Sequence, residues 1–195
     1  ILASEKIDIE GRVNFYEQTG ALKDFVQSHL LEMTALVLSN SLEAPRRCEA
    51  LSNLGVVCDI TQRECVKRGQ YVGYRDEVNN SESVTETFVS INLASNEPEL
   101  QGVPIRICTG KALESKTTQV KIEYGNGEQR IFNIEHEPEA YKRVIEAAIF
   151  GNHDLFISSS EVLQTWRILE TIQETWKDGA PDLIIYPKGS NINNI

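Results

Sequence analysis

The chain has 195 residues, of which 41% are hydrophobic, enough for one domain with a buried core. Its formal net charge of −10 argues against nucleic acid or an anionic membrane as a general partner. An anionic ligand would therefore need a local cluster of basic residues. No apolar run reaches the length that spans a membrane, and the first residues do not resemble a signal peptide.

The cysteines and histidines do not have the spacing of a metal site. No CxxC pair occurs, and the histidines are far apart, so we predict no zinc site. Free thiols, as in a reducing cytoplasm, are the simpler expectation, although the spacing does not rule out disulfides. The residues concerned are Cys48, Cys58, Cys65, Cys108, His29, His136 and His153.

Residues 1–13 are polar and predict a short strand or a loop, and residues 14–39 predict a long helix. Within that helix, apolar side chains and one histidine recur at spacings of three and four, which predicts a core-facing side. These residues are Leu22, Val26, His29, Met33 and Leu36. The helix is apolar almost all round, so we expect it to be buried. His29 is then either a hydrogen-bonded core residue or a proton acceptor.

The centre of the chain predicts β-structure. A run punctuated by glycines predicts a strand entering a loop at residues 65–74, and alternating apolar residues indicate strands near 84–93, 103–108, 118–124 and 129–134. In the third of the alternating runs we expect Val120, Ile122 and Tyr124 to face inward. The Gly-Asn-Gly turn at 125–127 predicts a hairpin, and short turns between consecutive strands predict an antiparallel sheet.

The C-terminal third predicts helices. Residues 141–149 follow helical spacing after Pro138, and a second helix begins at Ser158, where Glu161 completes a capping box. Residues 183–186 are apolar and predict an added strand. The predicted fold class is therefore α+β, a mainly antiparallel sheet of five or more strands packed against a long buried helix and two C-terminal helices.

Two lysines follow the strand at 103–108. Gly110 and Lys111 come directly after it, and Lys116 lies five residues further on. From composition both lysines are exposed surface residues, but ammonium groups at this spacing also suit a phosphate. The P-loop pattern is absent, and Gly125 and Gly127 belong to a hairpin rather than to a dinucleotide site.

Four blocks of sequence resemble, in order, the C-terminal domain of the glucose-6-phosphate dehydrogenase family. They are GRVNFYEQTGALKDFVQSHLLEMTALV, RGQY, TFVSINL with GVPIRICTGKAL, and PEAYKRVIEAAIFGNHDLF. The chain departs from the family pattern at Ser28, where Asn is usual, at Glu99 and Leu100, where Arg-Trp is usual, and at Cys108, where Arg is usual. Between Ile134 and Pro138 the family carries several more strands.

The resemblance implies a role for five residues. His29 would take a proton from the anomeric hydroxyl of glucose 6-phosphate, and Glu5 and Asp24 would hold sugar hydroxyls. Lys111 and Lys116 would bind the phosphate. It also implies NADP as hydride acceptor, a homodimer formed through the sheet, and a cytoplasmic protein of the pentose phosphate pathway.

We expect residues 1–195 to form a single domain, the substrate-binding and dimerisation domain of such an enzyme. The family's nucleotide-binding domain, and the Asp-His motif that orients the catalytic histidine, are not among these residues. The chain alone is therefore predicted to be inactive. The alternatives are a non-catalytic dimerisation or regulatory module and a dehydrogenase for another phosphorylated sugar.

Overall fold

The computed structural model describes residues 1–56, 59–60, 64–135, 138–177 and 182–195, so Cys58 and His136 lie outside the described residues. The helical segments are α1 (Val13–Ala21), a π-helix (Leu22–Leu30), α2 (Leu31–Ser39), α3 (Ala44–Asn53), α4 (Tyr74–Glu77), α5 (Ala140–Ile149) and α6 (Ser159–Lys177), with short 3-10 helices at Pro98–Leu100 and Ile192–Asn194. The strands are β1 (Leu2–Ser4), β2 (Leu54–Val56), β3 (Val66–Tyr71), β4 (Phe88–Ser95), β5 (Ile105–Gly110), β6 (Thr117–Glu123), β7 (Gln129–Asn133) and β8 (Ile184–Tyr186).

These strands form one mixed sheet in the order β7-β6-β1-β5-β4-β3-β8, with β2 paired to β4. Most neighbours are antiparallel, which confirms the predicted α+β class with a mainly antiparallel sheet. Two pairs are parallel, β1 with β5 and β3 with β8. The sequence pattern did not predict them, because side-chain alternation identifies a strand but not its neighbour.

The central strands of the sheet are covered on both faces. Alternate residues of a strand point to opposite faces, and β4 contributes Val89 and Ile91 to one core and Phe88 to the other. The first core lies between the sheet and the helices. The second is rich in aromatic residues and includes Tyr16, Tyr71, Tyr74, Phe88, Cys108, Leu113 and Tyr186.

The predicted helix over 14–39 is not one continuous α-helix. Gly20 has φ 59° and ψ 178°, which interrupts the helical backbone at the end of α1. The chain then forms a π-helix before it returns to α-helical geometry in α2. The expectation of a long, uniformly buried helix is therefore not confirmed.

The π-helix changes which side chains face the core. Its hydrogen bonds run from i to i+5, so each turn holds more residues than an α-helical turn. Leu22, Val26 and Leu30, spaced by four, are buried, whereas His29 is exposed. The prediction that His29 lies on a core face, derived from α-helical spacing, is therefore wrong.

The C-terminal elements follow the sequence pattern more closely. The predicted capping box is present: the Ser158 N–H donates to Glu161 Oε2 at 2.8 Å, and the Glu161 N–H donates to Ser158 Oγ at 3.3 Å. The hairpin turn between β6 and β7 is also as predicted. Tyr124, expected to face inward, is exposed at the end of β6.

The cysteines differ from the expectation of free thiols. Cys48 and Cys108 are free, but Cys65 is disulfide-bonded. Within the described ranges, no three histidine, cysteine or acidic residues are grouped so that they would hold a metal ion. In the same part of the chain, no helix has the length and apolar character needed to cross a membrane.

Candidate functional site

Glu5 and Lys111 lie together where two parallel strands end. β1 ends at Ser4 and β5 at Gly110, and the next residue of each strand continues in the same direction. The Glu5 N–H donates to the Gly110 carbonyl at 2.9 Å, and the Glu5 carbonyl accepts from the Leu113 N–H at 2.9 Å. These hydrogen bonds therefore fix the backbone of Glu5 against the segment that carries Lys111.

Lys111 is a buried ammonium. Its side chain is paired with the Glu5 carboxylate, and its Nζ lies 5.5 Å from the ring centroid of Tyr16. The backbone N–H of Lys111 donates to the Thr87 carbonyl, and its backbone carbonyl accepts from the Tyr186 hydroxyl, both at 2.9 Å. Lys111 is 4% exposed, so the interpretation as a surface lysine is wrong at this position.

Tyr16 connects this pair to the helix that carries Asp24. Its hydroxyl is buried and has no hydrogen-bond partner among the described residues. Burial raises the pKa of Tyr16, and the charges of Glu86, Tyr186 and Asp24 raise it further. Asp24 therefore lies within electrostatic range of the tyrosine that packs on Lys111.

His29 is exposed and lies near the end of the π-helix. Its ring packs on Phe25, with centroids 4.7 Å apart and planes inclined at 54°. The π-helix packs against β5, the strand that leads to Lys111. Ser28, which replaces the asparagine usual in the family, donates from its hydroxyl to the Asp24 carbonyl. His29 thus presents an accessible imidazole on the helix that also positions Asp24.

Lys116 is not part of the buried pair. It is exposed in the segment between Lys111 and β6, and in the described part of the chain its side chain forms no ion pair or hydrogen bond. Among the five predicted residues, the structure brings Glu5 and Lys111 into contact. Asp24 and His29 share the neighbouring π-helix, and Lys116 remains free at the surface.

Glu86 is a residue of this region that the sequence did not indicate. It lies within the run 84–93 that predicts a strand, and its side chain is buried just before β4 begins at Phe88. Its Oε1 accepts from the Leu22 N–H at 2.9 Å, and its carbonyl accepts from the Ala21 N–H at 2.9 Å. Burial raises the pKa of Glu86 to about 7. The alternating pattern around Glu86 does not indicate that its carboxylate contacts the start of a helix far away in the sequence.

The glycines at 125–127 do not fit the nucleotide that the resemblance implies. They connect β6 to β7 in an antiparallel hairpin, in which the Gly127 N–H donates to the Tyr124 carbonyl at 2.8 Å. A pyrophosphate site of the dinucleotide type requires a glycine-rich turn that leads into a helix. This turn is therefore the hairpin connection that the sequence predicted.

The fold and the site define an α+β sheet domain in which a buried lysine pairs with a half-buried glutamate where two parallel strands end. The sequence model of the family described as glucose-6-phosphate dehydrogenase, C-terminal domain, matches residues 1–137 and 132–193. The chain belongs to this family. The two matched segments overlap at residues 132–137, which begin within the last residues of β7.

Curated relatives carry the same name. The chain is 26% identical over 262 residues to glucose-6-phosphate 1-dehydrogenase of Chlamydia pneumoniae, covering 98% of the chain and 51% of the relative. It is 29% identical over 222 residues to the enzyme of Helicobacter pylori strain J99, covering 99% and 52%. The chain thus spans about half the length of these relatives.

Solved structures have the same fold. Glucose-6-phosphate 1-dehydrogenase from Mycobacterium avium matches with a TM-score of 0.75 at 24% identity, over 97% of this chain and 51% of that one. A glucose-6-phosphate dehydrogenase in complex with its substrate glucose-6-phosphate matches with a TM-score of 0.77 at 19% identity, with the same coverage. At these identities the likeness is one of fold.

Proposed function

We propose that this chain is the substrate-binding and dimerisation domain of a glucose-6-phosphate 1-dehydrogenase and that its residues 1–195 act as a single domain. The observation that carries the proposal is the pair that buried Lys111 forms with half-buried Glu5 at the ends of β1 and β5, in a chain that belongs to this family. The working enzyme would also contain the family's nucleotide-binding domain. The chain alone would be inactive as a dehydrogenase.

The phosphate of the substrate would bind to Lys111 and Lys116. A phosphate dianion in a protein of net charge −10 needs a local concentration of positive charge. Without ligand, Glu5 neutralises Lys111, which offsets the cost of burying its ammonium. When the phosphate takes over this role, the Glu5 carboxylate would be available to accept a hydrogen bond from a sugar hydroxyl.

The proton of the anomeric hydroxyl would pass to His29. Its exposed imidazole is accessible to a sugar bound at the neighbouring site, and Asp24 on the same helix would hold another hydroxyl. NADP, held by the nucleotide-binding domain, would accept the hydride from the anomeric carbon. The roles of the described residues are therefore to bind the substrate, orient it and remove one proton.

Two further expectations belong to this proposal, a homodimer formed through the sheet and a cytoplasmic location. The dimer is supported by an extensive exposed apolar surface on β7 and α5. The location is supported by the family to which the chain belongs. A scaffold that had lost its ligand would have no need to retain a buried lysine with a matched carboxylate, which argues against a non-catalytic module.

A titration of the chain with glucose 6-phosphate, followed by NMR, tests the proposal. We expect millimolar ligand to shift the His29 ring resonances and the amides of the segment after β5. Lys111→Ala should abolish these shifts, whereas Lys121→Ala, an exposed lysine on β6, should preserve them. Absence of any response in the unmodified chain at millimolar ligand would overturn the proposal. Comparison with other phosphorylated sugars would identify the preferred substrate.

A further inference from the structure

β7 forms one edge of the sheet and is unusually accessible. It pairs with β6, and no other described strand lies beside it. All five of its residues are exposed. They include two large apolar side chains, Ile131 at 55% exposure and Phe132 at 50%. An edge strand of this kind presents unpaired backbone groups beside apolar surface.

The hydrogen bonds to β6 identify the backbone groups that face outward. The Ile134 N–H donates to the Thr118 carbonyl at 2.8 Å, and the Tyr124 N–H donates to the Glu128 carbonyl at 2.9 Å. Even-numbered residues of this strand therefore direct their backbone groups toward β6. Because direction alternates along a strand, the N–H and C=O groups of Gln129, Ile131 and Asn133 point away from the sheet.

Apart from one charged residue, Arg130, the strand lacks the usual protection of an edge. Natural sheets avoid edge-to-edge pairing by placing proline, lysine, a bulge or an inward charge on the outer strand. The sequence of β7, Gln-Arg-Ile-Phe-Asn, contains neither proline nor lysine. Its register with β6 runs without a bulge from Gln129 to Asn133. The edge is therefore regular and competent to pair.

We propose that β7 pairs antiparallel with β7 of a second copy of this chain, about a two-fold axis at Ile131. This register joins Ile131 to its counterpart and Gln129 to Asn133 of the second copy, so that all outward backbone groups of these three residues are hydrogen-bonded. Arg130, the one charged residue of the strand, then faces Phe132 of the second copy and not the Arg130 of that copy. The pairing thus brings no like charges together.

The sequence comparisons indicate why this edge is open. The alignment with the Chlamydia pneumoniae relative extends over 262 residues, more than the 195 residues of this chain. The relative therefore has residues with no counterpart here. The two matched segments of the family model overlap at residues 132–137, at the end of β7, which places the shortened region beside this edge. The inference rests on the proposed homodimer and specifies which strand joins the copies.

Sedimentation velocity over a range of protein concentrations tests this pairing with two matched variants. Ile131→Lys places two ammonium groups at the two-fold axis, so we expect at least a tenfold weaker dimer. Ile185→Lys is the control, because Ile185 is 53% exposed on β8, the opposite edge of the sheet. It should leave the association unchanged. Circular dichroism checks that both variants remain folded.

A mixing experiment separates repulsion at the axis from general loss of structure. Ile131→Glu should also be monomeric alone, whereas an equimolar mixture of Ile131→Lys with Ile131→Glu should recover the dimer. A dimer that both single variants retain would overturn the edge pairing while leaving the homodimer intact. A monomeric unmodified chain at 100 µM, roughly the concentration at which such an interface should be populated, would overturn both.

Discussion

Gly20 and Glu86 are in direct contact, so closely that a Cβ atom on Gly20 would lie 2.3 Å from Glu86 Oε1. The backbone of Gly20, with φ 59° and ψ 178°, is in a region open almost exclusively to glycine. The glycine lets the chain turn from α1 into the π-helix, and the carboxylate accepts the Leu22 N–H at its start. The direction of the helix that carries Asp24 and His29 depends on this contact.

Gly20→Ala is therefore expected to destabilise the domain. Backbone strain and the collision with Glu86 together should lower the free energy of unfolding by at least about 2 kcal/mol. Urea denaturation measures the change. Gly125→Ala is the control, because a Cβ atom there would meet nothing within 4 Å. Equal stabilities of the two variants would contradict the proposed role of the contact.

The buried carboxyl of Glu86 predicts a pH dependence of stability. Burial raises its pKa from 4.5 to about 7, so the folded chain holds this proton more tightly than the unfolded chain. The resulting stability is complete below pH 4.5 and is lost as the pH rises through 7. We expect the free energy of unfolding to fall by on the order of 2 kcal/mol from pH 5 to pH 8.

Glu86→Gln should flatten this profile because it removes the titrating group. Glu32 contributes in the same direction, since burial and the charge of Glu161 raise its pKa to about 7, so some dependence should remain. Parallel denaturation curves at several pH values provide the measurement. A profile unchanged by Glu86→Gln would show that the carboxyl of Glu86 is not its source.

Arg47 and Glu161 form a buried ion pair that joins α3 to α6. Arg47 Nε lies 2.5 Å from Glu161 Oε1, and Nη2 lies 3.2 Å from Oε2. Arg47 also donates to the carbonyls of Leu42, Asp154 and Phe156. Arg47→Ala would leave the Glu161 charge buried and unpaired, so we expect a loss of about 3–5 kcal/mol.

The neighbouring arginine supplies the control for this prediction. Arg46 pairs with Glu49 at 3.3 Å, but both side chains are exposed. Exposed pairs contribute at most about 1 kcal/mol, so Arg46→Ala should change the unfolding midpoint little. Similar losses in the two variants would contradict the assignment of the stability to the buried pair.

Removal of the Glu5 charge should alter anion binding. Glu5→Gln leaves Lys111 without its neutralising partner, so we expect inorganic phosphate to bind about threefold to tenfold more tightly. Isothermal titration calorimetry measures the affinity, and Glu114→Gln, an exposed change in the same segment, is the control. Weaker phosphate binding in Glu5→Gln would show that Glu5 supports the anion site instead of competing with it.

Much of the sheet was predictable because its strands alternate clearly. The predicted strand at 129–134 is β7, Gln129–Asn133, and the predicted strand at 118–124 is β6, Thr117–Glu123. The capping box located the start of α6 to within one residue. These features are formed by residues that are close together in the sequence, so a local sequence pattern is enough to predict them.

The site was predictable only in part. The resemblance identified Glu5 and Lys111, and the structure shows them paired, although composition alone indicated that Lys111 is a surface residue. The exposure of His29 was missed because α-helical spacing does not describe a π-helix. The contact of Glu86 with the start of that helix joins residues 64 positions apart, and no local pattern reports it.

The position of β1 has a consequence for how the chain acquires its structure. Residues 2–4 lie between β5 and β6, two strands that follow each other in sequence but do not pair. During synthesis residues 2–4 must remain available until more than a hundred residues that follow them have emerged. Such distant pairings cost loop-closure entropy before they add contacts, so completion of the sheet centre should be slow. Glu5 follows β1 directly, so the binding site should form only when this late step is complete.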